Sequence, residues 1–92
     1  MSYFVYLLRC KDGSFYTGIT TDLNRRMSEH DSGKGSKYVA VAGFDELLFA
    51  LKSPDRSDAS KLEYRIKQLE KFEKLAFFRE HPSCCFNVFE NE

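Results

Sequence analysis

Two β-rich runs on either side of a four-residue turn constrain this chain more than any other feature. Tyr3 to Cys10 (Y-F-V-Y-L-L-R-C) and Phe15 to Thr20 (F-Y-T-G-I-T) are dense in aromatic and β-branched side chains, and Lys11-Asp12-Gly13-Ser14 separates them. This pattern predicts an antiparallel hairpin. Its register is open. A two-residue Asp-Gly loop sets Leu8 opposite Thr17 and puts Tyr6 and Tyr16 on opposite faces. A three-residue loop with Gly13 left-handed pairs Leu8 with Tyr16 and Tyr6 with Gly18, so that Tyr6, Tyr16 and Gly18 share one face. Gly18 weakens a strand interior unless something must approach its backbone closely.

The second strand feeds a helix. Thr21-Asp22 supplies an N-cap, and Leu23 to about Ser32 reads as helical, ending at Gly33. Leu23, Arg26, Met27 and His30 stand at i, i+3, i+4 and i+7, one face, while Arg25 and Glu29 point elsewhere. The face that Leu23 and Met27 must bury therefore also carries Arg26 and His30. Gly33 to Lys37 is a basic flexible loop, in which Lys34 and Lys37 are either solvated or placed to contact phosphates. Tyr38 to Gly43 is a short helix or an irregular connection. Leu47 to Lys52 is a third strand.

A helix beginning at Ser57 or Asp58 follows, its cap supplied within Asp55 to Ala59 rather than by the capping-box match at Ser60 to Glu63. Its inner face is Ala59, Leu62, Ile66 and Leu69, with Glu63 leaning toward it. Phe72 to Glu80 is a further helix, stopped by His81-Pro82. The tail, residues 83–92, has room for an edge segment through Phe86 to Phe89 and is otherwise frayed.

Ninety-two residues suffice for one domain without disulfides or metal, and nine Phe and five Tyr argue against disorder. Cys10, Cys84 and Cys85 lack both a disulfide framework and zinc-ligand spacing. With no apolar run long enough for a bilayer, and no charged segment leading into an apolar core at the start, a cytoplasmic location without membrane association is expected. Net charge is zero, which does not favour nucleic-acid binding. Its distribution permits an anionic ligand at the N-terminal half, since residues 1–40 hold six Lys/Arg and four Asp/Glu while residues 41–92 hold eight and ten.

Arg26, His30 and Glu63 thus stand where a core prefers apolar groups, and an unpaired buried charge is costly. Either Arg26 and Glu63 form a structural ion pair with His30 a satisfied neutral histidine, or a cation and a carboxylate face one substrate in a cleft. In the cleft a phosphate suits the planar guanidinium of Arg26, and Glu63 suits Mg²⁺, which needs only one or two carboxylates. Tyr6 and Tyr16 are ordinary strand aromatics, or donors beside that phosphate, or a base if a phenol pKa falls.

Val5-Tyr6-Leu7, then Tyr16-Thr17-Gly18, Arg26, His30 and the later Glu63 form an ordered set that resembles the GIY-YIG nuclease domain. The resemblance runs from Tyr3 to about Phe78. Phe4-Val5-Tyr6 stands in offset register for the first tripeptide and Tyr16-Thr17-Gly18 for the second. The chain is similar to the small stand-alone bacterial members.

The resemblance implies an α+β sandwich: a three-stranded antiparallel sheet flanked by helices, in the order β-β-α-β-α-α. The domain would span residues 1–82, with 83–92 as a partly ordered tail. It implies the three-residue loop, since both tyrosines must share a face. Tyr6 and Tyr16 would line the site, Arg26 would stabilise phosphate charge, His30 would shape the site, and Glu63 would bind one Mg²⁺ or Mn²⁺ ion. Asn87 is a weak match to an asparagine that the family often carries.

The activity implied is metal-dependent endonuclease hydrolysis of phosphodiester bonds in nucleic acid, DNA in preference to RNA. Tyr6 is the preferred base, which demands a pKa well below the ordinary value near 10. The alternative is a non-catalytic module on the same fold that binds nucleic acid or a protein.

Overall fold

The central strand of the sheet, β1 (Tyr3–Cys10), is apolar on both faces because both faces are covered. The computed structural model describes residues 2–81 and 84–87. Along one edge of β1 runs β2 (Phe15–Thr20), along the other β3 (Phe44–Ser53), and β4 (Cys84–Asn87) adds to β3. The sheet order is β2-β1-β3-β4, antiparallel throughout. On one side lie α1 (Leu23–Asp31) and α2 (Lys37–Ala42), whose Leu23, Met27, Val39 and Ala42 pack with Tyr6, Leu8, Cys10 and Ala50. On the other lie α3 (Arg56–Lys67) and α4 (Lys71–Glu80), whose Ala59, Leu62, Ile66, Leu75 and Phe78 pack with Val5, Leu7, Phe49 and Leu51.

The expected three-stranded antiparallel sheet with flanking helices is present. The segment left open at Tyr38 to Gly43 is helical, as α2. An edge segment in the tail is also present as β4, whose Phe86 and Asn87 pair with Ala50 and Phe49; positions 88 and 89 of the expected segment lie outside the described residues. Between Leu7 and Leu8 the pairing with β3 shifts by a residue, so Leu48 and Phe49 both pack toward α3 and α4.

The hairpin takes the three-residue loop. Cys10 N–H donates to Ser14 O at 2.8 Å, Gly13 N–H donates to Cys10 O at 2.9 Å, and Gly13 has φ 88°. A left-handed residue at that position favours glycine. Tyr6 consequently faces Gly18 and Leu8 faces Tyr16.

Local capping fixes where the helices start. Asp22 accepts from Arg25 N–H at 3.0 Å to open α1 immediately after β2, and Asp55 accepts from Asp58 N–H at 2.8 Å to open α3. The earlier of the two caps considered for α3 is the one used. Among the described residues no helix is long and apolar enough to cross a membrane.

Candidate active site

The register sets Tyr6 and Tyr16 on the α1 side of the sheet, with Gly18 between Tyr6 and the strand edge. A Cβ at Gly18 would collide with the Tyr6 hydroxyl and the adjacent ring carbon. The glycine is there because the phenol lies across the backbone of β2. From that position the Tyr6 Oη reaches His30 Nε2, on the last turn of α1, at 2.8 Å. His30 is held from the far side by Gly35, where a Cβ would strike the imidazole at Nδ1. The loop after α1 is therefore shaped by the ring it covers.

Aromatic rings continue this cluster outward. Tyr16 meets His30 edge-on at 5.7 Å and Tyr6 at 6.4 Å, and Phe44 stacks on His30 at 6.4 Å. On its outer side Tyr16 stacks with Tyr38 of α2, 5.9 Å between centroids and 21° between planes. Tyr38 is about half exposed, so one ring face lies on Tyr16 while part of the ring remains in solvent.

Burial divides the expected site residues into two layers. Tyr6 and His30 are 1% and 2% exposed, whereas Tyr16, Arg26 and Glu63 are half-buried. Desolvation drives the Tyr6 phenol well above its ordinary pKa; the Tyr16 hydroxyl and the charges of Glu63 and Glu29 push the same way, against Arg26. His30 is pushed below its ordinary value, first by burial and then by the Arg26 guanidinium. Both groups are thereby neutral at neutral pH. The depressed phenol that a Tyr6 base requires is the opposite of what this environment produces.

Arg26 and Glu63 do not pair with each other. Arg26 Nε lies 3.2 Å from Glu29 Oε1 on its own helix, and Glu63 Oε2 lies 3.3 Å from Lys67 Nζ on its own helix. The Arg26 contact is close without hydrogen-bond alignment, which leaves the buried Nε–H without an acceptor. The interhelix ion pair of the structural reading is absent, yet the charges of both residues are felt at the Tyr6 hydroxyl. They share one electrostatic neighbourhood without neutralising each other.

Three buried side-chain polar atoms among the described residues lack a partner: Thr17 Oγ1, Arg26 Nε and His30 Nδ1. All belong to the stretch from β2 through α1. Arg26 and His30 lie on the α1 side of the sheet with Tyr6 and Tyr16, whereas Thr17, opposite Leu7, faces the α3 side; native interiors leave few such groups.

Glu63 supplies a single carboxylate. Among the described residues no three His, Cys, Asp or Glu side chains converge as a metal-ligand group. One half-buried carboxylate fits Mg²⁺ or Mn²⁺ that keeps most of its waters and takes further oxygens from a phosphate; it does not fit a closed zinc or calcium cage. Lys67, 3.3 Å from Glu63, would have to yield for a cation to be held there.

Lys34 and Lys37 are exposed on the loop and first turn leading to Tyr38. Tyr38 is the site-lining residue that sequence reasoning did not single out. The available signal was an aromatic next to Lys37 in the connection that follows the His30 helix.

Comparison with known proteins identifies the family. The GIY-YIG catalytic domain family matches residues 2–76. A UPF0213 protein of Oceanobacillus iheyensis is 49% identical over 73 residues, covering 79% of this chain and 85% of the relative. Another, from Yersinia enterocolitica, is 44% identical over 86 residues and covers 94% and 89%. Among solved structures, the solution NMR structure of the UPF0213 protein from Bacillus halodurans matches with TM-score 0.53 at 42% identity, covering 89% of each chain. The solution NMR structure of a protein from E. faecalis matches with TM-score 0.58 at 39% identity, covering 88% of this chain and 91% of that one. With one family spanning most of its length and relatives this similar, the chain belongs to the GIY-YIG catalytic domain family.

Proposed function

We propose that this protein is a divalent-metal-dependent endonuclease acting on nucleic acid in the cytoplasm, DNA in preference to RNA, through a domain of residues 1–82. One observation carries the reading. A guanidinium and a carboxylate from different helices reach one electrostatic neighbourhood, and each pairs within its own helix instead of with the other. Neither charge is neutralised by the other, so Arg26 is available to a phosphate and Glu63 to a cation.

Arg26 binds non-bridging phosphate oxygens, its unaligned Nε–H and terminal N–H groups being free to turn from Glu29 toward an anion. That contact strengthens as charge builds on phosphorus in the transition state. Glu63 would hold the metal ion, which supplies Lewis acidity toward the phosphate when bound. Tyr16, half-buried beside Arg26's helix, is the hydroxyl that substrate reaches, and it orients the attacking water.

Tyr6 and His30 act one layer beneath. They are positioning residues, hydrogen-bonded to each other and in ring contact with Tyr16. The hydrogen bond between Tyr6 Oη and His30 Nε2 fixes the two rings against each other, with the donor set by the His30 tautomer. Lys34 and Lys37 contact backbone phosphates, and the outer face of Tyr38 stacks on an unpaired base.

The test is a cleavage assay on branched, duplex and single-stranded substrates with and without Mg²⁺. Wild type should nick at least one of them, and Arg26→Ala and Glu63→Ala should each abolish it. Activity that survives both substitutions overturns the assignment. The raised Tyr6 pKa favours a second reading, a binding module without catalysis. Mg²⁺-independent binding that survives Glu63→Ala, with no cleavage by wild type, would establish that alternative.

A further inference from the structure

A cavity of about 230 Å³ opens where β2 hands over to α1, lined by Tyr3, Ile19, Thr20, Thr21, Arg25, Arg26 and Arg56. Three guanidinium-bearing residues from two helices meet here around two threonines, with no acidic residue in the wall. Arg26 is shared with the candidate active site. Arg25 and Arg56 take no part in it, and among the described residues neither has a carboxylate within ion-pair distance. The chain as a whole has no net charge. Fourteen carboxylates are available, and Arg9 pairs with two of them, Asp45 and Glu46, whereas the exposed Arg65 and Arg79, like Arg25 and Arg56, have none within ion-pair distance among the described residues. Converging cations repel unless an anion sits between them, so an unneutralised arginine cavity is most stable when occupied by one.

Its location specifies the anion further. Arg56 and Glu63 lie seven residues apart on α3, on one face two turns apart, and Arg25 and Arg26 are neighbours on α1. A polymer with one phosphate at Arg26 must run past either the Lys34 and Lys37 side or the Arg25 and Arg56 side. The cavity is smaller than the roughly 300 Å³ at which pockets for whole organic ligands begin. It suits a single phosphate group, with the Thr21 hydroxyl and guanidinium N–H groups as donors, since the Thr20 hydroxyl already donates to Asp22 O.

We propose that this cavity is a second phosphate subsite, in which Arg25 and Arg56 grip the phosphodiester adjacent to the one at Arg26. The inference rests on nucleic acid being the ligand; it does not require cleavage. The subsite sets the direction in which a strand crosses the site. A substrate ending at the reacting phosphate leaves it empty and is held more weakly.

The test is binding of short fluorescent oligonucleotides in EDTA, read by anisotropy across a salt series, for wild type and the Arg25→Gln/Arg56→Gln variant. Both side chains are exposed, so the variant should melt with wild type, and Arg56→Gln alone serves if the double variant does not fold. The log–log salt slope should fall by roughly 0.7 per arginine on single strands and roughly 0.9 on duplex. A scan of single neutral methylphosphonate linkages then locates the subsite: at one linkage wild type should lose affinity and the variant should not. Equal salt slopes overturn the proposal, as does a scan with no linkage at which the two proteins differ, the pattern expected of a site for free phosphate. Cleavage by wild type in Mg²⁺ is scored separately. A nuclease with equal slopes loses only the subsite, whereas unequal slopes without cleavage lose only the nuclease.

Discussion

The phenolic oxygen of Tyr6 lies 2.8 Å from Nε2 of His30, and solvent reaches neither residue. Burial and Arg26 hold the imidazole neutral, with Glu29 opposing them weakly. A folded-state pKa below the ordinary 6.5 or so means that the unfolded chain binds the proton first as pH falls. The stability contributed by neutral His30 is therefore fully present above about pH 6.5 and is lost as pH drops through the folded value. Melting temperature should decline between about pH 7 and 5 more steeply in wild type than in His30→Gln. Parallel profiles would rule out a buried neutral imidazole.

The Tyr6 phenol shifts the other way. Its neutral form is favoured in the folded protein, so the associated stability is present below the ordinary tyrosine pKa and is lost as pH rises past it. Phenolate absorbance in an alkaline titration should contain a late component after other tyrosines have ionised. Tyr6→Phe should remove that component and leave the rest of the curve. If the late component persists in the variant, another tyrosine carries it.

Gly18 is required for space. Alanine there meets the Tyr6 ring, and overpacking of this kind costs about 1–3 kcal/mol. Urea unfolding should report that loss for Gly18→Ala. The same change in a Tyr6→Leu background should cost less, because the colliding ring is gone. Additive losses would mean that some other contact excludes the side chain.

Arg26 and Glu63 should be separable from folding. Each pairs only with a partially exposed residue on its own helix, an arrangement worth about 1 kcal/mol or less. Arg26→Ala and Glu63→Ala should therefore leave the unfolding free energy within about 1 kcal/mol of wild type while lowering cleavage roughly 100-fold or more. Unfolding curves and single-turnover rates on the same preparations decide this. A large stability loss with proportionate activity loss would return both residues to a structural role.

Tyr38 should matter for binding and little for folding. Replacing a base-stacking aromatic by alanine weakens single-strand binding by about 1–3 kcal/mol per base, and Tyr38→Phe should preserve it. Duplex binding should change less, because paired bases cannot leave their stack to meet the ring. Equal losses on both substrates would assign Tyr38 to packing on Tyr16 alone.

Much of the fold was legible along the chain because its signals are local. β-branched and aromatic runs, Asp22 and Asp55 as caps, and the i, i+3, i+4, i+7 spacing from Leu23 to His30 each depend on a few neighbouring residues. The residues beneath and around the site were legible as misplaced polar groups. Tyr38 was not, because its value comes from stacking on Tyr16, a contact between an α2 residue and a strand far from it in sequence.

By itself the sequence determined that a hairpin leads into a helix with Arg26 and His30 on its inner face, and that Glu63 leans inward from a later helix. The hairpin residues alone left the loop length open, the family resemblance implied three residues over two, and the structure has three. Only the tertiary structure decided that Tyr6 is sealed while Tyr16 stays accessible, and that Arg26 and Glu63 turn to Glu29 and Lys67 instead of each other. Desolvation and charge separation are set by everything that surrounds a group. Residues from β1, β2, α1 and α3 surround these, and no local stretch of the chain contains them all.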